Sequence, residues 1–299
     1  MRNLVVGFLG FGEVGFQFSR GFRKSCDGPI LAYDRAQNSA GYGELIRRRA
    51  EEVRVALVES PRQLAEDCDI LLAAVPAQFA ADAAREICPY LSPRHTYLDV
   101  SASAPDKKQE MADLIRPTGA AFADLAIIGP VKVLGHQVPI LASGRVPDEV
   151  YATLTSLGMQ IERISDRPGE ASAIKLCRSV FTKGLEALLV ECAMTARKAK
   201  VDRKVLESIQ HTLSQQSFLD TANRYITGNS IHADRRVHEV EEAMAMMEAM
   251  GVEPLVTRGV LERMRWCRAA GGREHFGGEQ PARYEDVVDF YLTKGPGGR

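Results

Sequence analysis

Three glycines near the start of the chain have the spacing that could hold a phosphate group. Gly10, Gly12 and Gly15 form the pattern Gly-x-Gly-x-x-Gly directly after an apolar run over 4–9 and at the start of a helical segment. The first glycine makes the tight turn, the second lets the backbone approach a pyrophosphate, and the third lets helix and strand pack closely. Free N–H groups at the helix N-terminus favour the anion. The pattern predicts a dinucleotide-binding βαβ unit.

An acidic residue follows the second predicted strand of this unit. Asp34 stands nineteen positions beyond Gly15 and can accept hydrogen bonds from the adenosine ribose, which favours NAD because a 2′-phosphate would meet a like charge. Arg35 beside it could instead cradle a 2′-phosphate, so both NAD and NADP stay open. The residues expected to bind the cofactor in this segment are Gly10, Phe11, Gly12, Glu13, Val14, Gly15, Asp34 and Arg35.

The elements that must position these residues alternate along the first half of the chain. Short apolar runs predict strands over 4–9, 30–33, 53–58, 69–75 and 96–100, extended by 122–128 and 138–142. The bracketing helices are predicted near 13–25, 42–51, 62–67, 77–90 and 105–115. Such alternation is typical of a parallel sheet covered by helices on both faces. After Pro168 the strand pattern ends and 170–200 predicts one long helix. We therefore expect an α/β Rossmann domain over 1–167 and an all-α domain over 168–299.

The second half of the chain has helical periodicity throughout. The pattern predicts helices over 203–216, 216–227, 232–250, 254–270 and 284–292, and a frayed tail over 295–299. The methionine-rich stretch 244–250 is most simply explained as a packed helix that could lie at a dimer contact. We expect a homodimer or higher homo-oligomer formed through the helical domain.

Composition excludes several other classes of protein. The formal net charge of -1 provides no basic field for nucleic acid. The six cysteines form no Cys-x-x-Cys pair and have no ligand spacing with histidine, so neither zinc nor a disulfide framework is expected. No run approaches the roughly 18 apolar residues of a membrane span, and the N-terminus has no signal-peptide pattern. These observations favour a cytoplasmic protein that binds a small-molecule substrate and no metal.

Four segments carry a resemblance to a known superfamily. They are GFLGFGEVG over 7–15, AVP over 74–76, DVSASAP over 99–105 and GEASAIK over 169–175. Together they resemble the β-hydroxyacid dehydrogenase superfamily, which includes 3-hydroxyisobutyrate and 6-phosphogluconate dehydrogenases. Residues 232–236 and 251–254 are similar to a less characterised branch whose C-terminal helical domain differs.

The resemblance implies hydride transfer between a nicotinamide ring and a hydroxyl-bearing carbon, with Lys175 moving the hydroxyl proton. A base is needed because loss of a hydride leaves a carbonyl only if the alcohol proton also departs. Partial burial and the positive nicotinamide would both favour the neutral amine of Lys175. The matching positions also imply a catalytic role for Ser101, cofactor contacts at Val75, Pro76 and Ser101, and substrate contacts at Ser101 and Ser103. The alternative role of the two serines is a helix cap or turn.

The chain departs from the superfamily where substrate is held. Ser179 replaces the asparagine that follows the lysine by one turn, offering one hydroxyl in place of an amide. The Ser-Gly-Gly turn of relatives reads Ile128-Gly129-Pro130, which removes a hydroxyl and leaves Gly129 as a candidate substrate contact. Ser179 is predicted to be catalytic and to contact substrate. Substrate positioning must therefore differ from that in the relatives.

Helical spacing identifies the companions of Lys175. Arg178, Ser179 and Thr182 share its face, whereas the other side is predicted to be a buried stripe made of Leu176, Cys177, Val180, Leu188 and Leu189. Arginine forks bind carboxylate and phosphate bidentately, so an alternative anion anchor could come from Arg178, Lys183, Arg235 and Arg236. The competing interpretation is a solvated helix face with intrahelical ion pairs.

Three functions are compatible with these features. The first is an NAD(P)-dependent dehydrogenase or reductase acting on a small hydroxy acid or its oxo form, which could be phosphorylated. The second is an imine reductase, a class that the chain also resembles but which usually lacks the lysine. The third is a cofactor-binding sensor or scaffold without turnover, suggested by the altered positions Ser179 and Gly129.

Overall fold

The computed structural model describes residues 4–295, so most of the predicted frayed tail lies outside the described residues. The chain forms two compact units, one ending at Val180 and the other beginning at Phe181. That division falls inside a helix, and the domain boundary after residue 167 remains a prediction.

The first unit is built on an eight-stranded sheet. Its order is β3-β2-β1-β4-β5-β6-β7-β8, and neighbours pair in parallel except β6 and β7, which are antiparallel. The strands are β1 Val6–Leu9, β2 Ile30–Tyr33, β3 Ala56–Leu57, β4 Ile70–Ala73, β5 Thr96–Asp99, β6 Ala121–Ile127, β7 Pro139–Ser143 and β8 Gln160–Ser165. The predicted Rossmann-type α/β architecture is confirmed.

Helices cover both faces of this sheet. They are α1 Glu13–Phe22, α2 Tyr42–Glu52, α3 Pro61–Asp67, α4 Ala77–Ile87, α5 Pro105–Ile115, α6 Val131–Leu134 and α7 Asp148–Ser156. Alternate strand residues point to opposite faces. Phe8 joins an apolar cluster with residues of α1, α2 and α7, whereas Leu9 joins one with residues of α3, α4 and α5. The core is therefore two apolar layers, one on each side of the sheet.

The second unit is all helical, as predicted. A long helix, α8 Glu170–Lys198, runs from the first unit into the second. It is followed by α9 Asp202–Leu213, α10 Phe218–Ala249, α11 Leu255–Ala269, α12 Gly272–His275 and α13 Tyr284–Leu292. The predicted helices over 216–227 and 232–250 correspond to the two parts of α10, which meet at a kink at His232, where the backbone angles are non-helical.

Candidate active site

The glycine turn joins β1 to α1 and is shaped by close backbone packing. Gly10 has φ +89°, and a Cβ there would lie 2.6 Å from Val75 Cγ1 and 2.9 Å from the carbonyl oxygen of Ala74. Gly15 lies against Gly10, whose carbonyl oxygen would be 3.1 Å from a Cβ at Gly15. Gly10 therefore requires glycine for folding, Gly15 leaves little room for a side chain, and the turn contacts Val75 at the end of the neighbouring strand β4.

Gly12 differs because space opens in front of it. A Cβ at Gly12 would meet only the Tyr42 hydroxyl within 4 Å, at 3.6 Å, and its φ of -79° is open to any L residue. Gly12 caps α1, whose first N–H groups have no intrahelical acceptor. Open space in front of these donors is where a pyrophosphate would approach, so the turn fits the dinucleotide that the sequence pattern predicts.

Asp34 is held against the glycine turn at the end of β2. Its Oδ2 accepts from the Phe11 N–H at 2.7 Å, and its Oδ1 accepts from the Ala36 N–H at 2.9 Å. Each carboxylate oxygen has a further lone pair, so the carboxylate is fixed in place and still able to accept from a ribose hydroxyl. Arg35 beside it is exposed. The structure thus brings Asp34 and the glycine turn together.

Glu13 contributes backbone to this site, and its side chain is engaged elsewhere. Its carboxylate is bound by Gln17 Nε2 at 3.0 Å and by Arg49 Nη2 at 2.6 Å. The hydrogen bond from Gln17 lowers the pKa of Glu13, and the charges of Arg49 and Lys132 act in the same direction against the effect of burial. The carboxylate of Glu13 therefore connects α1 to α2. The N–H groups of Glu13 and Val14 are the first two of α1.

The other sequence-predicted residues of the first unit follow successive strands. Val75 and Pro76 follow β4, Ser101 and Ser103 follow β5, and Gly129 follows β6. The strands β1, β4, β5 and β6 are mutually parallel, so their carboxyl ends lie along one edge of the sheet, where ligands bind in this architecture. Gly129 and Pro76 are exposed at this edge, and Val75 is partly exposed.

Ser101 and Ser103 are buried and bonded within the protein. Ser101 Oγ donates to Asp99 Oδ2 at 2.8 Å and lies 2.8 Å from Ser103 Oγ, which is 3.4 Å from the carbonyl oxygen of Ala77. Both side chains are only 4 % exposed. The contacts of these hydroxyls with substrate or cofactor remain a prediction, and their observed partners belong to a buried polar cluster.

That cluster contains three fully buried charged side chains, which we name the charged cluster: Asp99, Lys108 and Asp124. Lys108 Nζ lies 2.6 Å from Asp99 Oδ2 and 3.0 Å from Asp124 Oδ1, and it also donates to the Ser101 carbonyl oxygen at 2.9 Å. All three side chains are 0 % exposed. These three residues are not brought together by any pattern in the sequence. The one local signal of the cluster is that Lys108 falls on the apolar face of α5, in helical spacing with Met111 and Ile115.

The charged cluster reaches the start of α8 through Asp124. The carboxylate of Asp124 accepts from the Ser172 N–H and from Ser172 Oγ, both at 2.8 Å. Ser143 Oγ accepts from the Ala171 N–H at 3.0 Å. These acceptors satisfy N–H groups that the first turn of a helix leaves without an intrahelical partner. The first turn of α8 is therefore fixed to β6 and β7.

Lys175 follows one turn after Ser172 and is partly buried. Burial and then the positive charge of Lys108 lower the pKa of Lys175, while the charges of Asp124 and Asp99 oppose that change. Ser179 Oγ donates to the Lys175 carbonyl oxygen at 3.0 Å, which uses its proton but leaves it able to accept. Arg178 is exposed. The arrangement holds an amine whose pKa is lowered, which is the direction that an acid/base group working near neutral pH needs.

The predicted buried stripe on α8 is wrong for the single chain. Val180 is 78 % exposed, Leu188 is 41 % and Leu189 is 40 %, and Leu176 and Cys177 are also exposed. Every residue from 181 to 190 is exposed. The apolar spacing was correctly identified, but spacing cannot tell whether an apolar helix face packs within its own chain or is left for another surface.

The two candidate arginines of the second unit differ in environment. Arg235 is exposed and lies 3.4 Å from Glu239 Oε1, a pair one turn apart on α10. Burial, and then the charge of Arg235, lowers the pKa of Arg236. Its Nη1 donates to the Tyr225 carbonyl oxygen at 3.3 Å. Within residues 4–295 no carboxylate forms an ion pair with it under 4.0 Å, so Arg236 is a half-buried cation with unused donors.

Neither a metal-binding cluster nor a membrane-spanning helix occurs among residues 4–295. No group of three or more His, Cys, Asp or Glu side chains there is placed to hold a metal ion. Over the same range, no helix combines the length and apolar character that crossing a bilayer requires.

The sheet, the glycine turn and Asp34 together define an NAD(P)-dependent oxidoreductase with a Rossmann-like domain. Residues 5–158 match the family model described as the NAD binding domain of 6-phosphogluconate dehydrogenase, and the chain belongs to that family. Residues 196–267 match DUF1932, a domain of unknown function. The chain therefore binds NAD or NADP, and the superfamily resemblance found in the sequence is confirmed.

Two solved structures are similar over nearly the whole chain. A conserved hypothetical protein from Sinorhizobium meliloti 1021 is 30% identical, with 97% of this chain and 96% of that chain covered and a TM-score of 0.62. The conserved protein MTH1747, described as structurally similar to 3-hydroxyacid dehydrogenases, is 28% identical, with 97% and 98% covered and a TM-score of 0.61.

An imine reductase shares the fold. A variant of the enzyme from Myxococcus stipitatus in complex with NAD+ is 14% identical, with 97% of this chain and 99% of that chain covered and a TM-score of 0.75. At this identity the likeness concerns the fold alone.

Proposed function

We propose that the protein transfers a hydride between NAD(P) and a small hydroxy acid or its oxo form, with Lys175 as the general acid/base. The observation that carries the proposal is the environment of the Lys175 amine, namely its burial, its lowered pKa and its position on α8. The amine is partly buried, its pKa is lowered, and it lies one turn beyond a helix start fixed by Asp124 and Ser143. Such tuning is typical of acid/base groups.

The proposed chemistry divides the work between cofactor and protein. The nicotinamide ring supplies or accepts the hydride when the cofactor is bound. In oxidation the neutral amine of Lys175 accepts the hydroxyl proton of the substrate, and in reduction the ammonium returns a proton to the carbonyl oxygen. Ser179, whose hydroxyl oxygen can still accept, is proposed to orient the substrate beside Lys175.

NAD is the proposed preferred cofactor. Asp34 is held by the N–H groups of Phe11 and Ala36, so its carboxylate would have to break two hydrogen bonds to move away from a 2′-phosphate. Like charges at that position cost binding energy. Arg35 is exposed and free to move, and NADP binding through Arg35 is the alternative.

An arginine is proposed to hold the acid group of the substrate. Arg236 is the stronger candidate because its guanidinium is half-buried and lacks an ion pair within the described residues, whereas Arg235 is exposed beside Glu239. Arg178 is an exposed second candidate. Changing Arg236→Gln should raise the KM of acidic substrates about tenfold or more, and Arg235→Gln serves as the matched control with an unchanged KM.

A homodimer is the proposed assembly. The helix α8 exposes several large apolar side chains, among them Ile174, Val180, Phe181, Val190 and Met194. Exposed apolar surface of this extent supports an interaction site, and closed homodimers are the commonest oligomers. Light scattering on a size-exclusion column should give twice the chain mass of 32.8 kDa, and a monomer at micromolar concentration would contradict this assembly.

The function is tested with a substrate panel and a pair of lysine variants. Hydroxy acids, oxo acids, phosphorylated analogues, aldehydes and cyclic imines are assayed with each cofactor by nicotinamide absorbance. With the best substrate, Lys175→Met should lower kcat by about 10²–10⁴-fold. Lys107→Met is the control, because Lys107 is exposed on α5 and pairs with Glu110 at 2.8 Å.

The pH dependence of kcat/KM provides a second test of the role of Lys175. Because the pKa of Lys175 lies below the ordinary lysine value, kcat/KM for alcohol oxidation should rise with pH through a limb that Lys175→Met lacks. An unchanged rate in Lys175→Met would remove Lys175 from the mechanism. Turnover of cyclic imines alone would favour the imine reductase, and cofactor binding without turnover across the panel would favour a sensor.

A further inference from the structure

Three fully buried charges in one cluster are unusual in a protein of this size. Lysine and aspartate are almost never fully buried unless they are paired, and desolvation offsets much of the attraction within a buried pair. Replacing a buried ion pair by apolar side chains is often neutral for stability, but here Asp124 also binds Ser172 and Lys108 also binds the Ser101 carbonyl oxygen. The cluster thus combines its own ion pairs with bonds to the backbone around it, and the question is what its net charge does.

The geometry of the charged cluster is set by the sheet. Asp99 and Asp124 are register partners on the parallel strands β5 and β6, so their carboxylates point to the same face. Lys108 projects from α5 on that face and contacts both carboxylates, at 2.6 Å and 3.0 Å. One ammonium and two carboxylates leave a formal charge of -1.

That charge is connected to the turn that carries Lys175. Asp124 binds the N–H and hydroxyl of Ser172, and residues three apart on a helix lie on the same face. Ser172 and Lys175 therefore share the face of α8 that Asp124 contacts. Motion of β6 relative to the first turn of α8 would break both bonds from Ser172.

The buried charges that act on the Lys175 amine come from α5, β5 and β6. Lys108 of α5 disfavours its ammonium form, while Asp99 of β5 and Asp124 of β6 favour it. On α8 itself, Glu170 is paired with Arg167, and Arg178 is exposed. The buried charges dominate because surface charges are screened by solvent.

We propose that the charged cluster is a positioning device for Lys175, and that the net charge of Asp99, Lys108 and Asp124 controls how readily the Lys175 amine holds a proton. None of the three is proposed to touch substrate. They act through Lys175, and their importance for turnover rests on the proposed function. Their effect on the Lys175 amine does not, because it exists without substrate.

The experiment measures the protonation of Lys175 directly. Trace acetylation with acetic anhydride across pH, read by peptide mass spectrometry, reports the fraction of neutral amine at each lysine of the folded chain. Asp99→Asn changes the cluster charge from -1 to 0, so the labelling midpoint of Lys175 should move to lower pH by roughly one unit, the lower end for a nearby charge. Asp124→Asn should move it in the same direction.

A double variant separates charge from structural damage. Asp99→Asn combined with Lys108→Met restores a charge of -1, so the labelling midpoint should return most of the way to that of the unmodified chain. If the residues acted only by stabilising the fold, the double variant would be the more damaged and would show no such return. Lys107→Met is the matched control, since Lys107 is exposed and pairs with Glu110 at 2.8 Å.

Each outcome has a clear meaning. Thermal unfolding identifies variants that fail to fold, and either single aspartate variant suffices for the test. A Lys175 midpoint that stays constant in folded Asp99→Asn and Asp124→Asn overturns the inference, even if the enzyme turns over. A midpoint that moves and returns as expected supports it, even if no substrate is found and the proposed function fails.

Discussion

Gly10 and Gly12 lie two residues apart in one turn, yet alanine at each should have opposite consequences. At Gly10 a Cβ would be placed on a left-handed backbone with φ +89°, 2.6 Å from Val75 Cγ1 and 2.9 Å from the Ala74 carbonyl oxygen. The left-handed backbone costs about 1–2 kcal/mol, and the steric overlap adds about 1–3 kcal/mol. Gly10→Ala should therefore lower the free energy of unfolding by about 2–5 kcal/mol.

At Gly12 the same change should leave stability intact. The nearest atom to a Cβ is the Tyr42 hydroxyl at 3.6 Å, an ordinary contact, and φ is -79°. Replacing glycine where the backbone is compatible changes stability by no more than about 1 kcal/mol. The added methyl would, however, occupy space in front of the α1 N–H groups. Losing one hydrogen bond to a charged group costs about 1.5–3 kcal/mol, or about 10- to 100-fold in Kd.

Two measurements on the same pair of variants test this reasoning. Thermal unfolding without cofactor should show a midpoint lower by roughly 5–15 °C for Gly10→Ala and nearly unchanged for Gly12→Ala. Fluorescence titration with NADH should show the weakened Kd for Gly12→Ala. If Gly12→Ala binds NADH as tightly as the unmodified chain, the pyrophosphate does not lie where the turn predicts. Equal unfolding midpoints for the two variants would refute the steric argument.

Two further predictions concern stability. The carboxylate of Glu191 on α8 accepts hydrogen bonds from the N–H groups of Val256 and Thr257 and from Thr257 Oγ1, at 2.6–2.8 Å. Burial acts to raise the pKa of Glu191, but these hydrogen bonds outweigh it and the pKa is lowered overall. A carboxyl whose folded pKa is below its unfolded value stabilises above the unfolded pKa, and that contribution is lost as pH falls through the folded pKa. Glu191→Gln should thus flatten the acid limb of stability in urea unfolding, and an unaltered limb would refute this. Tyr97→Phe removes a buried hydroxyl that has no hydrogen-bond partner among residues 4–295; calorimetry should show equal or greater stability, by about 1 kcal/mol, and a clear loss would mean that the hydroxyl has a partner.

The fold could be predicted wherever the local pattern and the packing agree. The bounds of β2, α5 and α13 match the sequence prediction because buried apolar spacing and a proline or acidic start coincide there. The strand predicted over 53–58 shrinks to Ala56–Leu57, because Val53 ends α2 and Arg54 adopts φ +54°. Apolar content alone could not separate the last turn of that helix from the strand that follows it.

Two elements of the first unit were missed for a related reason. The edge strand β8 reads Gln-Ile-Glu-Arg-Ile-Ser and is largely exposed, so it lacks the apolar run of the buried strands and was not recognised. The helix α7 before it is short. An edge strand pairs with a neighbour along one side only, so it can form with few apolar residues. The pairing of β8 with β7 joins residues that are distant in sequence, and local patterns do not reveal it.

The parts of the candidate site that could be predicted are those whose residues are close in sequence. The glycine turn was found because Gly10, Gly12 and Gly15 are close in sequence and their spacing alone specifies the bend. The charged cluster was not found, since Asp124 and Ser172 lie 48 residues apart and are brought together only by the start of α8 beside β6. The resemblance of residues 169–175 to the superfamily could identify Lys175 as a candidate, but not what sets its charge.

The fate of Ser101 shows why this difference matters for function. The sequence suggested a substrate hydroxyl at the end of β5, yet the structure gives Ser101 two partners within the protein, Asp99 and Ser103, and its carbonyl oxygen to Lys108. To donate a hydrogen bond to substrate, Ser101 would have to give up its bond to Asp99, worth about 1.5–3 kcal/mol because the partner is charged. We therefore expect substrate to be held by groups with unused donors rather than by the Ser101 proton. Ser101 is better explained as part of the structure that holds Lys175 in place.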